Sequence, residues 1–186
     1  MEIYEQIRKK WSGALADRFK VSAEKINASV YTISDGLKIE QTISKYAKGG
    51  KIRVYVEDSL AELTASLLQK GIDASSTSVN CDISVTRALF GIADTGSIVM
   101  ETTDKKLRRH TALVIAHLVI LSPKMIVPTL YNAFELINQM SSEKENCHYS
   151  IISGPSRTAD IERVLTLGVH GPEKLDIFIW DLQSIK

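Results

Sequence analysis

Apolar residues at Ile3, Ile7, Trp11, Leu15 and Phe19 recur every fourth position, which predicts an amphipathic helix over residues 1–20 whose stripe lies on a core or on another subunit. A short strand is expected at residues 30–33, followed by a helix at residues 37–47 that ends at Gly49-Gly50, where glycine adopts a left-handed cap at little cost. Ile52, Val54 and Val56 alternate as a strand. Ser59 and Glu62 have the spacing of a capping box for a helix with Leu60, Leu63, Leu67 and Leu68 on one face, and Lys70-Gly71 reads as its stop. A strand at residues 72–79 and a short helix started by Asp82 come next, then a strand at residues 97–101.

The charged run Thr103-Asp104-Lys105-Lys106-Leu107-Arg108-Arg109 reads as an exposed loop with four cations. It leads to the apolar residues 112–121, a strand covered on both faces, so the strands flanking the loop are expected to pair antiparallel. A helix is predicted from Pro128 to Met140, then a polar linker over residues 141–146, a strand ending near Gly154, a helix entered near Thr158, and a closing strand at residues 175–180. Alternating helices and near-continuous apolar strands predict an α/β fold, a mostly parallel open sheet with helices on both faces, in one domain spanning residues 1–186.

Composition adds mainly exclusions. With 23 basic and 22 acidic residues the net charge is +1, which gives no reason to expect a nucleic-acid or membrane partner. The run at residues 112–121 is interrupted by His117 and is about half the roughly 20 residues a membrane helix needs. The acidic start, Met1-Glu2-Ile3-Tyr4-Glu5, lacks the basic and long apolar regions of a secretory signal, so a cytoplasmic protein is expected. Cys81 and Cys147 are too few and too far apart for a disulfide framework, a zinc site or an iron–sulfur cluster, so no metal or cofactor is expected on this chain.

Candidate chemistry gathers in two places. Directly after the apolar strand come Ser153-Gly154-Pro155-Ser156-Arg157-Thr158-Ala159-Asp160-Ile161-Glu162 and then Gly168-Val169-His170-Gly171-Pro172. A helix entered near Thr158 would aim its free N–H groups at an anion, with Arg157 as a planar fork for carboxylate or phosphate. Gly154, Ser156, Arg157, Thr158, Asp160 and Gly171 are therefore candidate ligand-binding residues, and His170 a candidate acid or base. The plainer alternative is that Ser156 or Thr158 caps the helix while Asp160 and Glu162 offset its dipole. The second place is Asp94-Thr95-Gly96-Ser97, a compact turn in which Asp94 is a candidate proton acceptor and Thr95, Gly96 and Ser97 could bind an anion. Here the alternative is an Asx turn that serves only the backbone. Both places are expected beyond the carboxyl ends of the strands. His117 reads as a core histidine with a backbone partner, and His110 and His148 are given no role. No nucleophile elbow and no glycine-rich loop followed by lysine is present.

These two segments, together with Gly91-Ile92-Ala93-Asp94-Thr95-Gly96-Ser97-Ile98-Val99, resemble the signature motifs of the lactate-utilisation (LUD) domain family, LutC type, in matching order. The chain departs from that pattern before His117, where Val114-Ile115-Ala116 replaces a Leu-Pro-Pro step. The resemblance implies a fold like that of ribose-phosphate isomerase, the coenzyme A transferases and formyltetrahydrofolate cyclo-ligase. It also implies a role in bacterial oxidation of L-lactate to pyruvate, beside two partner proteins that carry the iron–sulfur clusters. The chain would then be the non-redox component, binding a small carboxylate or a phosphate-bearing ligand. Two other classes compete: a free-standing isomerase, acyl transferase or nucleotide-dependent ligase using Asp94 or His170, and a non-catalytic assembly subunit.

Overall fold

A computed structural model describes residues 15–47, 50–77, 80–143, 146–159, 165–167 and 171–181. Its centre is a six-stranded sheet built from β1 (Ser29–Thr32), β2 (Arg53–Val56), β3 (Asp73–Ser75), β4 (Ile83–Arg87), β7 (Ala116–Leu121) and β12 (Lys174–Ile179), in the order β1-β12-β7-β4-β2-β3. Every pairing in it is parallel. A second sheet, in the order β8-β5-β6-β9, is made of β5 (Phe90–Ile92), β6 (Ser97–Glu101), β8 (Ile126–Val127) and β9 (Tyr149–Ile152).

Side chains alternate along the parallel strands, so each strand serves two cores. Val54, Val56, Ile83, Val85, Leu118, Ile120 and Phe178 pack against helices α2 (Leu37–Ala47) and α3 (Ala61–Gln69). The opposite face, with Val30, Val119, Leu121 and Ile177, meets helix α1 (Leu15–Lys25) through Phe19 and Ala23, and the second sheet through Ile98 and Met100. Helix α5 (Leu130–Glu143) covers the far side of the second sheet with Ala133 and Leu136. The expected parallel α/β sheet with helices on both faces is present, and one of those faces also carries a second sheet.

Two buried carboxylates, Asp176 and Glu40, are paired in this frame. Asp176 of β12 is 2% exposed and accepts a 2.6 Å hydrogen bond from the Tyr46 hydroxyl of α2. Glu40 accepts from Ser66 at 2.5 Å and pairs with Lys70. Burial opposes ionisation of Glu40, but the Lys70 and Ser66 hydrogen bonds and the Lys70 charge hold its carboxyl below the ordinary value.

Several expected elements take another form. Of the predicted helix over residues 1–20, the part before Leu15 lies outside the described residues, as does Gly49; the described helix continues to Lys25. The Ser59–Glu62 capping box does not form. A 3₁₀ turn at Asp58–Leu60 precedes α3, whose N-cap position is Leu60, and the Ser59 hydroxyl donates to Glu57 at 2.7 Å. Asp82 starts no helix. Its carboxylate accepts from the Arg53 N–H at 2.9 Å, and Ile83-Ser84-Val85-Thr86, mostly β-branched, forms the central strand β4. The charged run is no loop: Asp104 accepts from the Lys106 N–H at 2.8 Å and caps helix α4 (Lys105–Ala112). The strands on either side of α4 therefore do not pair. One, β6, belongs to the second sheet, and the other, β7, to the parallel sheet.

Candidate functional site

The two motifs meet at the end of α1. In the turn between β5 and β6, Gly96 has φ +68°, and a Cβ there would lie 2.1 Å from the Ala23 backbone nitrogen. In the loop after β9, Gly154 has φ +83°, and a Cβ would lie 2.3 Å from the Ile26 carbonyl oxygen. Only glycine tolerates both the backbone angle and the approach, so the motifs press bare backbone onto the end of α1, Gly96 on its last turn and Gly154 on Ile26 just beyond it. Beside them the Ser97 and Ser153 hydroxyls lie 2.8 Å apart, and Ser97 is 2% exposed. Sequence reasoning gave Ser153 no role, because its partner lies 56 residues away.

Thr95 is half-buried, and its hydroxyl accepts from the Ser97 N–H at 3.3 Å, while Asp94 is exposed and its own N–H donates to the Pro128 carbonyl at 3.1 Å. Farther along, the Ser156 N–H donates to the Pro172 carbonyl at 2.8 Å, and a Cβ on Gly171 would lie 3.0 Å from Ser156 Cβ. The Gly-Pro loops at Gly154 and Gly171 are thus brought together as the sequence implies. Asp160 and His170 lie outside the described residues.

Two expectations about this site are corrected. No helix begins at Thr158: Arg157–Ala159 is strand β10, paired antiparallel with β11 (Leu165–Leu167), with Thr158 opposite Thr166. Arg157 is therefore an exposed residue at the start of a hairpin rather than at a helix N-terminus, and neither Ser156 nor Thr158 is a helix cap. The β-branched threonine and the alternation in Leu165-Thr166-Leu167 favour the ladder over a helix. Nor do the Gly-Pro loops lie at the carboxyl ends of the parallel strands. Pro172 precedes β12, and the Glu173 N–H bonds to the Ile115 carbonyl just before β7, so the loops stand at the edge where the strands begin.

His117 is a core residue, fully buried in β7, but its partner is a side chain, the Thr86 hydroxyl, 2.8 Å from Nε2. Nδ1 has no hydrogen-bond partner among the described residues, and neither does the neighbouring Ser84 hydroxyl, in register on β4. Burial lowers the His117 pKa to about 3, so the ring is neutral near neutral pH.

The LUD domain family pattern matches residues 16–180, a span that contains both motif turns, all of α1 but Leu15, and the whole parallel sheet. The chain belongs to the LUD domain family. Among curated relatives of this LUD domain, lactate utilization protein C of Macrococcus caseolyticus is 25% identical over 97% of this chain and 78% of its own length. Lactate utilization protein C 1 of Bacillus mycoides is 35% identical over 55% of this chain, and the uncharacterized protein YkgG of Escherichia coli 33% identical over 56%. The matched stretch spans 44% and 46% of the length of the last two. The fold is also that of a crystal structure of a DUF162 family protein from Deinococcus radiodurans, with a TM-score of 0.65 at 20% identity, covering 90% of this chain and 96% of that one. No helix among the described residues is long and apolar enough to cross a membrane.

Proposed function

We propose that this chain is a LutC-type lactate-utilisation protein, the non-redox component of a cytoplasmic system that oxidises L-lactate to pyruvate. In this reading it works beside two iron–sulfur-containing proteins and binds a small carboxylate or a phosphate-bearing ligand. The observation that carries the reading is the meeting of the two family motifs in space through Ser97 and Ser153, with Ser156 and Pro172 joining the two Gly-Pro loops of one motif, while Asp94 and Arg157 are both exposed. The names of the curated relatives, lactate utilization protein C, support lactate as the substrate. Two cysteines fall short of the four thiolates of a typical cluster, which supports reading this chain as the non-redox component.

The test is reconstitution with the two partner proteins, measuring L-lactate-dependent reduction of an artificial acceptor with and without this chain. Dependence on the chain supports the reading, and equal turnover without it sinks it. The ligand half is tested by calorimetric titration with lactate, pyruvate and phosphate. Because Arg157 is exposed, Arg157→Ala should leave the melting transition nearly unchanged. It should weaken whichever anion binds by about 1.5–3 kcal/mol, the scale of a hydrogen bond to a charged group. Equal affinity in both proteins would remove Arg157 from the site.

A second reading, an assembly subunit, is favoured by Leu113 and Ile115, which are 68% and 53% exposed on the segment that receives the Glu173 hydrogen bond. Turnover that depends on the chain but survives Arg157→Ala, and fails in Leu113→Ser/Ile115→Ser, would select it.

A further inference from the structure

Cys81 and His110 belong to neither motif and stand apart from the ligand reading above. The half-buried Cys81 thiol, just before β4, lies 3.1 Å from Nδ1 of His110 on α4, a side chain only 4% exposed. Tyr55 of β2 stacks on the imidazole with centroids 3.9 Å apart and planes 14° from parallel. Arg109 donates to the Asn80 side-chain oxygen at 3.2 Å, which ties the segment carrying the thiol to the helix carrying the base. A thiol, a base within hydrogen-bond reach and a third group that orients the base form the arrangement that activates a nucleophile. Around the pair, Lys105, Lys106, Arg108 and Arg109 of α4 and Arg53 outnumber Asp82, Asp104, Glu57 and Asp58, a net positive balance that favours a negatively charged reagent.

We propose that Cys81 and His110 form a reactive thiol–imidazole site that undergoes thiol–disulfide exchange with small anionic disulfides. Sγ attacks one sulfur of the disulfide, the S–S bond breaks, and the thiol proton passes to Nδ1 and on to the departing thiolate. The products are a mixed disulfide on Cys81 and one free small thiol, and the incoming disulfide is the only oxidant required. For Nδ1 to accept, Nε2 must carry the ring proton.

Burial raises the thiol pKa, with Asp82 adding to it and Arg53 opposing. Burial also lowers the His110 pKa, helped by Arg109 and Lys106 and opposed by Asp104. Glu57 and Asp58 bear on the Tyr55 ring, whose own pKa burial pushes up to about 12. The resting pair is therefore neutral, with its proton on sulfur, and exchange near neutral pH relies on His110 as general base rather than on a standing thiolate.

Cys147, also half-buried, provides an internal reference. In a Cys147→Ser chain, the dianionic disulfide dithiobis(nitrobenzoate) should release one thiolate per folded protein. It should do so faster than from Cys147 in a Cys81→Ser chain, and added salt should slow its reaction with Cys81 while not slowing that of the dicationic disulfide cystamine. His110→Gln should slow Cys81 at least about tenfold without altering the Cys147 rate. The pH profile of the Cys147→Ser chain gives a second readout that needs no histidine variant. A plateau from about pH 6.5 upward marks His110 as the acceptor, whereas a rise continuing to about pH 8.5 marks an ordinary thiol. Labelling only at the rate of unfolding, an unchanged rate in folded His110→Gln, or the ordinary thiol profile would each overturn the proposal.

Discussion

The hydroxyls of Ser97 and Ser153 lie 2.8 Å apart and join the β5–β6 turn to the loop leaving β9. Each serine is next to a glycine whose backbone rests on the end of α1, at Ala23 for Gly96 and at Ile26 for Gly154. The family motifs thus have a packing duty that residue type alone does not reveal. Glycines that read as room for a ligand are occupied by a helix.

Gly96→Ala and Gly154→Ala should each destabilise the protein strongly. Both add a left-handed penalty to a clash with backbone, which has no flexible end to move aside, so about 2–4 kcal/mol is expected for each. Ser97→Ala should cost about 1 kcal/mol, one hydrogen bond with a half-open partner. Denaturant midpoints would check the ranking. Near-native stability in the glycine variants with lost ligand binding would return these positions to a direct binding role.

Asp104 and Ser59 make a second contrast. Asp104 caps α4 through the Lys106 N–H, so Asp104→Ala should cost about 1 kcal/mol, while Ser59→Ala removes no helix cap and should change stability by less than about 0.5 kcal/mol. Glu57 accepts from both the Ser59 hydroxyl and the Arg87 N–H, at 2.7 and 2.8 Å, and Glu57→Ala should therefore cost more than Ser59→Ala. Urea melts of the three variants would establish the order.

The elements legible in the sequence were those whose apolar residues carry the whole signal. The helix at Leu37–Ala47 and the strand at Lys174–Ile179 fall where their periodicity puts them, because Ile39, Ile43, Ile177 and Phe178 are fully buried. Helix α4 escaped notice because its inward residues are Leu107 and His110, and a histidine among four cations reads as solvated. Asp82 looks like a helix start from its neighbours, yet its partner is Arg53, 29 residues back. The second sheet was hidden for the same reason, since β6 pairs with β9 about fifty residues later and no local pattern records the pairing. At the site, the two segments singled out in the sequence do meet, through Ser97 and Ser153, but the Gly-Pro loops stand where the parallel strands begin and not beyond their carboxyl ends. Sequence reasoning expected a helix in place of the strand that Arg157 begins, because a Gly-Pro exit followed by Ser and Thr resembles a helix cap as much as a hairpin.

The buried Tyr46–Asp176 pair sets a stability cost that depends on pH. Burial raises the Asp176 pKa above the ordinary carboxylate value, while the Tyr46 hydrogen bond pulls it back down. Tyr46→Phe removes that donor, so the carboxylate loses about 1–3 kcal/mol of compensation at neutral pH. A raised carboxyl pKa means that the folded state holds its proton at pH values where the unfolded state has lost it. The Tyr46→Phe deficit should therefore be largest at neutral pH and shrink as pH falls toward the ordinary value of 3.8. Denaturant midpoints at two pH values would show this, and a deficit that grows on acidification would contradict it.

His117 acts in the opposite direction. Its folded-state pKa of about 3 lies below the ordinary 6.5, so between those values the unfolded chain binds a proton that the folded chain refuses. Its contribution is fully present above pH 6.5 and is lost as pH falls toward 3, by an amount on the order of several kcal/mol. His117→Gln keeps a polar group beside Thr86 but has no proton to take up, so the mutant should lose less stability between pH 6.5 and 4.5 than the wild type, even if it is weaker at neutral pH. His110, also lowered by burial, adds a slope of the same sign and must be retained in both proteins for the comparison. Histidine NMR signals give the direct check. A His117 ring that titrates near its ordinary value in the folded protein would mean that water reaches Nδ1 and that the buried face of β4 and β7 opens.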